Sequence, residues 1–405
     1  MGDAHWGGRK PDGIRRDKRS AALGMEHSLV NINLGESVRK QRLAILVAIV
    51  TPYRLPLYEH LNEFFETLVL VSGREDNRHW SFDSVGVRIK RAAGLTLKWK
   101  QGDNGRVHDL RYTHFNPGYL WDLFRFRPDA VISAEMGFRS AIALLYGFVA
   151  RKPVLIWWGG TLHTERDRSR PKRVLRRLFA ATTPRWMSEG RTSTEYLERI
   201  LGVSRDRIVE IQNCVDDTLF KADVEPAVLQ GGHPRALVVG QLIGRKGLEQ
   251  LLEAAAQLQR EGLIFSLVMV GEGPDRSRLE HEAQVLGIEH VYWLGHVPAS
   301  EMPSVYRACE VLVFPTLEDV WGMVVNEALL CGIPVICSTF AGCATELLPE
   351  QNIFDPTDRE AFANILRAAV MGTITGPDLS CLRSTRDVGS SMIRGVVQAA
   401  NNEPA

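Results

Sequence analysis

From about residue 41 the chain alternates between short apolar runs and longer stretches whose apolar positions recur at helical spacing. The runs 44–50, 68–71, 130–133, 154–158 and 185–188 read as buried strands, with helices between them at 57–65, 138–149, 172–181 and 192–201. Segments 208–211 and 213–216 close this set. A polar stretch, 221–234, reads as a linker, and beyond it the rhythm resumes. Strands are predicted at 236–239, 266–270, 291–294, 311–314 and 334–337, and helices near 248–261, 276–286, 301–308, 324–330 and 359–370. Such alternation predicts parallel sheets covered by helices on both faces. Two sets predict two doubly wound α/β domains, 41–220 and 221–384, facing across a cleft of the kind that binds ligands. A last helix, within 385–405, follows once the second domain is complete.

Composition narrows this little. The 405 residues are 45% apolar and 24% charged with a formal net charge of +1, so overall electrostatics name no partner and give no sign of nucleic-acid binding. Residues 1–40 carry Arg9-Lys10, Arg15-Arg16 and Lys18-Arg19 without a sustained period and read as a disordered basic leader. The sequence leaves open whether the chain starts at Met1 or Met25. The apolar run 43–50 is too short to span a bilayer and lies too far from the start for a secretory signal, so a cytoplasmic protein is expected. The six cysteines form no C-x-x-C pair, and buried free thiols are expected.

Residues 316–338 carry the most chemistry. A buried strand feeds a loop with Glu318, Asp319 and Trp321-Gly322. A helix carrying Glu327 follows, stopped by Gly332-Ile-Pro334. An acid-bearing loop at a strand's C-terminal end, beside a helix N-terminus, is where open α/β sheets bind nucleotides. The acids suit hydroxyls and the helix start suits phosphate.

Four motifs stand in order around that stretch. They are Val-Gly-Gln-Leu-Ile-Gly-Arg-Lys-Gly at 239–247, Val-Gly-Glu-Gly-Pro at 270–274, Leu-Gly-His-Val at 294–297, and Asp-Val-Trp-Gly-Met-Val-Val-Asn-Glu at 319–327. Together with Asn213-Cys-Val-Asp216 and Phe220, they resemble the family 4 glycosyltransferases, retaining enzymes of the GT-B fold: two Rossmann-like domains facing across a cleft. The likeness is good over 205–400 and loose over 41–204. It implies transfer of a sugar from a UDP-, GDP- or ADP-sugar to an acceptor hydroxyl, with retained configuration and neither cofactor nor metal. The chain likewise has no Asp-x-Asp. By resemblance, Lys246 and then Arg245 hold the diphosphate, helped by the amides of Trp321, Gly322 and Met323. Glu327 takes the ribose hydroxyls, and Asp319 takes a hydroxyl of the donor sugar. Gly244, Gly271 and Val297 border the nucleotide, and the terminal helix crosses back to the first domain. In the first domain His163, within Trp-Trp-Gly-Gly-Thr-Leu-His-Thr-Glu at 157–165, touches the donor sugar. Thr51-Pro-Tyr-Arg54 and Glu135-Met-Gly137 face the cleft. The chain departs from the family at two places. Asp319 stands where Glu is usual, with Glu318 the alternative one residue earlier, and Gln241 replaces a common Arg.

Each residue also has an ordinary reading. Glu327 suits a helix start, Asp319 a turn or N-cap, Lys246 a solvated loop, Gly271 a turn and His163 a structural loop. A nucleotide-sugar epimerase, a phosphorylase or a binding protein on a degenerate transferase fold are rival readings. A nicotinamide enzyme is disfavoured because no G-x-G-x-x-G follows the first strand. Residues 166–177 hold seven basic residues in twelve, with Arg173, Arg176 and Arg177 near one face and apolar residues between. A solvated face is the plain reading. An anionic membrane surface is the functional one, and it fits a glycan or lipid-linked acceptor of cell-surface polysaccharide or glycolipid synthesis.

Overall fold

The computed structural model describes residues 39–73, 86–103, 106–166 and 168–403. The leader expected over 1–40 therefore lies almost wholly outside the described residues.

Residues 42–211 form a seven-stranded parallel sheet. Its strands are β1 (Arg42–Val47), β2 (Glu66–Val71), β3 (Arg88–Arg91), β6 (Ala130–Ala134), β7 (Val154–Trp158), β8 (Arg185–Glu189) and β9 (Ile208–Ile211), in spatial order β3-β2-β1-β6-β7-β8-β9. Between β3 and β6 the chain makes an antiparallel hairpin of β4 (Leu95–Asp103) and β5 (Arg106–Phe115), which sequence reading did not foresee. A second parallel sheet holds β10 (Arg235–Val239), β11 (Ser266–Val270), β12 (Val291–Gly295), β13 (Val311–Phe314), β14 (Val335–Ser338) and β15 (Ile353–Phe354), in order β12-β11-β10-β13-β14-β15.

The strands are nearly continuous apolar runs because helices cover both faces. In β10 and β11 successive side chains feed opposite cores. Ala236, Val238, Leu267 and Met269 pack on one side with Leu251 and Phe362, while Leu237, Val268 and Val270 pack on the other with Tyr306 and Val325. All six cysteines are free, and all but Cys381 are buried.

Strand order fixes where a site can form. In the first sheet the chain runs outward from β1 through β2 and β3, then returns to place β6 on the other side of β1. In the second it runs from β10 through β11 and β12, then returns to place β13 against β10. The loops after β1 and β6, and those after β10 and β13, therefore diverge and leave a crevice at each switch point. The last helix, Thr385–Asn401, starts in a capping box between Ser384 and Asp387 and packs on β9 and on the first-sheet helix Leu55–Phe64. Gly389 allows this approach, since a β-carbon there would meet the His60 ring at 2.3 Å.

Candidate active site

The two crevices open into one cavity of about 780 Å³. The first half contributes Ala48, Thr51 and Arg54 after β1 and Glu135 and Met136 after β6; the second contributes Gly240 and Lys246 after β10 and Glu318 to Val324 after β13.

On the second-half wall the two loops are sewn together. Residues Gly244–Lys246 form a 3₁₀ turn ending at Gly247, whose φ of 68° and approach to Pro315 O leave no room for a side chain. The Arg245 carbonyl accepts from Leu317 N at 2.9 Å and from Thr316 Oγ1 at 3.2 Å. The Arg245 guanidinium donates to Glu318 O at 3.1 Å and does not line the cavity. Arg245, expected after Lys246 at the diphosphate, is exposed and fastens the β13 loop.

Lys246 Nζ donates to Asp319 Oδ2 at 2.5 Å, and Asp319 Oδ1 accepts from Trp321 N at 3.1 Å. Burial alone would raise the Asp319 carboxyl. The Lys246 ammonium, with the Trp321 N–H and Arg245, outweighs burial and holds it below the usual carboxylate range. Of the three amides expected at the helix start, the Trp321 amide is therefore engaged by Asp319. Those of Gly322 and Met323 have no hydrogen-bond partner among the described residues. Gly322 (φ 107°) lies against the Phe314 ring and opens the helix Met323–Leu330.

Glu327 lies one turn further along this helix, outside the cavity lining. Its Oε2 accepts from the Tyr306 hydroxyl at 2.7 Å, and burial pushes its carboxyl up to about 7. Val239, Leu294, Val297, Met323 and Val324 pack, partly buried, on the core that holds Tyr306 and Val325 and make an apolar shelf there. Gly271 (φ 134°) is a close-approach glycine: a β-carbon there would sit 1.8 Å from Gly240 O.

The first-half wall is built of ion pairs on tryptophan faces. Arg54 bonds Glu189 at 2.8 Å and lies 4.2 Å over Trp157, while Asn213 Nδ2 donates to the other Glu189 oxygen at 2.9 Å. Arg176 pairs with Glu165 at 2.5 Å and lies 4.4 Å over Trp158; Arg168 bonds Glu165 at 3.1 Å. Glu135 is a non-glycine residue at φ 62°, a strained conformation of the sort found at functional sites. Its amide donates to Trp157 O at 2.7 Å, and Arg139 donates to Ala134 O at 2.9 Å.

Residues 221–373 match the family model described as glycosyl transferases group 1. Over that stretch the chain is similar to this family. Among curated relatives, the GDP-mannose-dependent alpha-(1-6)-phosphatidylinositol monomannoside mannosyltransferase of Mycolicibacterium smegmatis is 31% identical over 160 residues, covering 35% of this chain and 42% of its own length. The 2-deoxystreptamine glucosyltransferase of Streptomyces kanamyceticus is 30% identical over 193 residues, covering 43% and 48%. The chain thus spans less than half the length of these relatives. Among solved structures, Anabaena HepE in complex with UDP superposes with a TM-score of 0.62 at 16% identity, over 90% of this chain and 98% of that one. Sucrose-phosphate synthase from Thermosynechococcus elongatus gives 0.61 at 18% identity, over 88% and 94%. Such likenesses show the fold, which is GT-B, as the motifs implied.

The second half brings Lys246, Asp319, Trp321, Gly322 and Met323 to the cavity, whereas Glu327, Val297, Gly271, Gly244 and Arg245 do not line it. His163 does not line the cavity. Its Nε2 donates to Leu317 O at 2.8 Å and its ring stacks on Phe340 at 4.4 Å, so it joins the first half to the second. Sequence reading missed Glu189, Glu165 and Arg139, and it misplaced Arg176. Far from sharing a surface face with Arg173 and Arg177, Arg176 turns inward with its side chain 14% exposed. The i, i+4 spacing of Lys172 and Arg176, both lining the cavity, was the available signal.

Proposed function

We propose that the chain is a retaining, metal-independent glycosyltransferase that moves a sugar from a nucleotide-diphosphate sugar to an acceptor hydroxyl. One observation carries this reading: the loops after β10 and β13 meet through Lys246 and Asp319 and face the first-half loops across a single cavity. The names of the relatives support it. The nucleotide lies along the apolar shelf of Val239, Val297 and Met323, its ribose hydroxyls toward Glu327. Its diphosphate lies at Lys246 and the Gly322 and Met323 amides, where fixed positive charge meets charge developing on the leaving group. Asp319 then exchanges one Lys246 contact for a donor-sugar hydroxyl. The bond between the anomeric carbon and the diphosphate oxygen breaks, and its electron pair leaves with the nucleoside diphosphate. The acceptor oxygen bonds the same face of that carbon, and its proton passes to the leaving phosphate oxygen. Arg54, Glu135 and Glu189 border the acceptor. The acceptor is a glycan or lipid-linked sugar presented at the cytoplasmic face of an anionic membrane, which the basic segment 166–177 meets. Among the described residues no helix is long and apolar enough to cross a membrane.

A thermal-shift screen against UDP, GDP, ADP and their sugars tests the donor site. A shift with one base, lost in Lys246→Met, is expected; no shift with any of them would remove the assignment.

A further inference from the structure

Beside the cleft, the helices Phe138–Ala150 and Arg170–Thr182 leave an apolar groove of about 660 Å³ between them. Leu144, Leu145 and Phe148 form one wall, with Leu175, Leu178 and Phe179 opposite. Burying such a side chain is worth about 1.5–3 kcal/mol. Yet Phe148 is 85% exposed, Leu178 58% and Leu145 48%, and the Arg170–Thr182 helix buries only Phe179 and Ala180. A contiguous exposed apolar surface of this kind marks a binding face.

Two further features say what covers it. The groove adjoins the cleft, with Leu175 lining both. The junction is cationic, with Lys172, Arg168 and Arg176 lining the cleft there. From 138 to 182 the sequence holds ten Lys and Arg against two acids, and Glu165, one of the two, is already paired with Arg168 and Arg176. The volume falls within the range of about 300–1,000 Å³ that encloses a single ligand molecule, whereas a stable protein partner needs about 800 Å² of surface a side.

We propose that the groove takes the hydrocarbon tail of a lipid phosphate acceptor, with its phosphate at the Lys172 and Arg168 junction and its hydroxyl-bearing head in the cleft. This rests on the transferase reading and specifies its acceptor as an anionic amphiphile. One carboxylate, Glu165, holds two guanidiniums, Arg168 and Arg176, so that cluster is net positive, matching a phosphate. The apolar walls contain no acid that would repel it.

Isothermal titration of the full chain with farnesyl phosphate, farnesol and inorganic phosphate tests this without any donor present. Farnesyl phosphate is expected to bind, and each half-molecule to bind at least about tenfold more weakly. Phe148→Glu and Leu178→Glu, both at exposed positions, are expected to weaken farnesyl phosphate at least about tenfold. They should leave the donor-nucleotide thermal shift and the circular dichroism spectrum as in the wild type. Unchanged binding in both variants overturns the proposal, as does inorganic phosphate binding as tightly as farnesyl phosphate. It is equally overturned if farnesyl phosphate fails to bind. In that event sedimentation of the protein with phosphatidylglycerol vesicles would assign the face to plain bilayer docking, and a dimer broken by Leu178→Glu would assign it to a second copy. Loss of the nucleotide shift in the wild type would instead remove the transferase reading, a separate result.

Discussion

Glu327 lies in apolar surroundings, and burial raises its carboxyl to about 7 from an ordinary 4.5, against the smaller downward pull of the Tyr306 hydroxyl. Between those two values the folded chain holds a proton that the unfolded chain has released. The resulting stability is full below about 4.5 and is lost as pH rises through about 7, an effect of at most about 3 kcal/mol. Glu327→Gln keeps an acceptor for Tyr306 but removes the titration. The melting temperature of the wild type relative to this variant should therefore fall across that window, and a constant difference would show that Glu327 does not titrate there. Asp319 behaves oppositely, since the Lys246 ammonium beside it stabilises its carboxylate. Lys246→Met strands a buried charge and should lower both stability and transfer, the latter by about 10²–10³-fold in kcat. Adding Asp319→Asn to that variant should recover the melting temperature but not the transfer. Recovery of both in the double variant would show that Lys246 serves only to neutralise Asp319.

Among the elements, the turn after β11 is pressed onto the loop after β10. Gly240 N donates to Val270 O at 3.0 Å, Leu242 N donates to Glu272 O at 3.0 Å, and a β-carbon on Gly271 would meet backbone that cannot move aside. Gly271→Ala should cost about 2–4 kcal/mol in urea unfolding. Gly376→Ala, at a site with open space, should change stability by less than about 0.5 kcal/mol. Equal effects would mean that the loop contact carries no load. These elements differ in how far the sequence betrays them. Strands such as Val154–Trp158 and Ser266–Val270 are buried on both faces, so their apolar runs are unbroken and their bounds readable. β3, Arg-Ile-Lys-Arg at the sheet edge, has little to bury and no apolar run. The hairpin of β4 and β5 does alternate, Leu-Thr-Leu-Lys at its start, but it falls outside the strand–helix rhythm that organised the reading. For the site, motif spacing pointed to Lys246, Asp319 and Glu327, of which Lys246 and Asp319 meet while Glu327 bonds Tyr306 outside the cavity lining. Glu189 enters only because β8 ends at the cleft. Arg176 turns inward only because Trp158 and Glu165 wait there, and neither is visible without strand order.

Across the whole molecule, among the described residues, polar ties between the two halves gather around the loops of the second half. Glu346 makes two of them: Oε2 accepts from Arg191 N at 2.9 Å and Oε1 from Gln212 Nε2 at 3.0 Å. Gln212 Oε1 in turn accepts from Arg383 N at 2.8 Å, ahead of the final helix. The His163 to Leu317 bond and the donation from Thr192 Oγ1 to Gly342 O at 3.1 Å lie nearby. Asn326 Nδ2 donates to Asn213 O at 3.2 Å, and Asn326 Oδ1 receives Trp321 Nε1 at 2.8 Å, so the Trp321 loop is tied to the Glu189 wall. On the proposed transferase reading, closure keeps water from the activated sugar. Hydrogen bonds to a charged group contribute about 1.5–3 kcal/mol each, so losing both at Glu346 should loosen the closed arrangement substantially. Because Lys246 and the apolar shelf lie wholly in the second half, Glu346→Ala should leave donor-nucleotide affinity near that of the wild type. Transfer to acceptor should fall at least about tenfold, while donor hydrolysis by water rises relative to it. The ratio of hydrolysis to transfer, followed by nucleoside diphosphate release with and without acceptor, reports this directly. A ratio equal to that of the wild type would mean that Glu346 plays no part in closing the cleft, leaving the His163 and Asn326 contacts to do so.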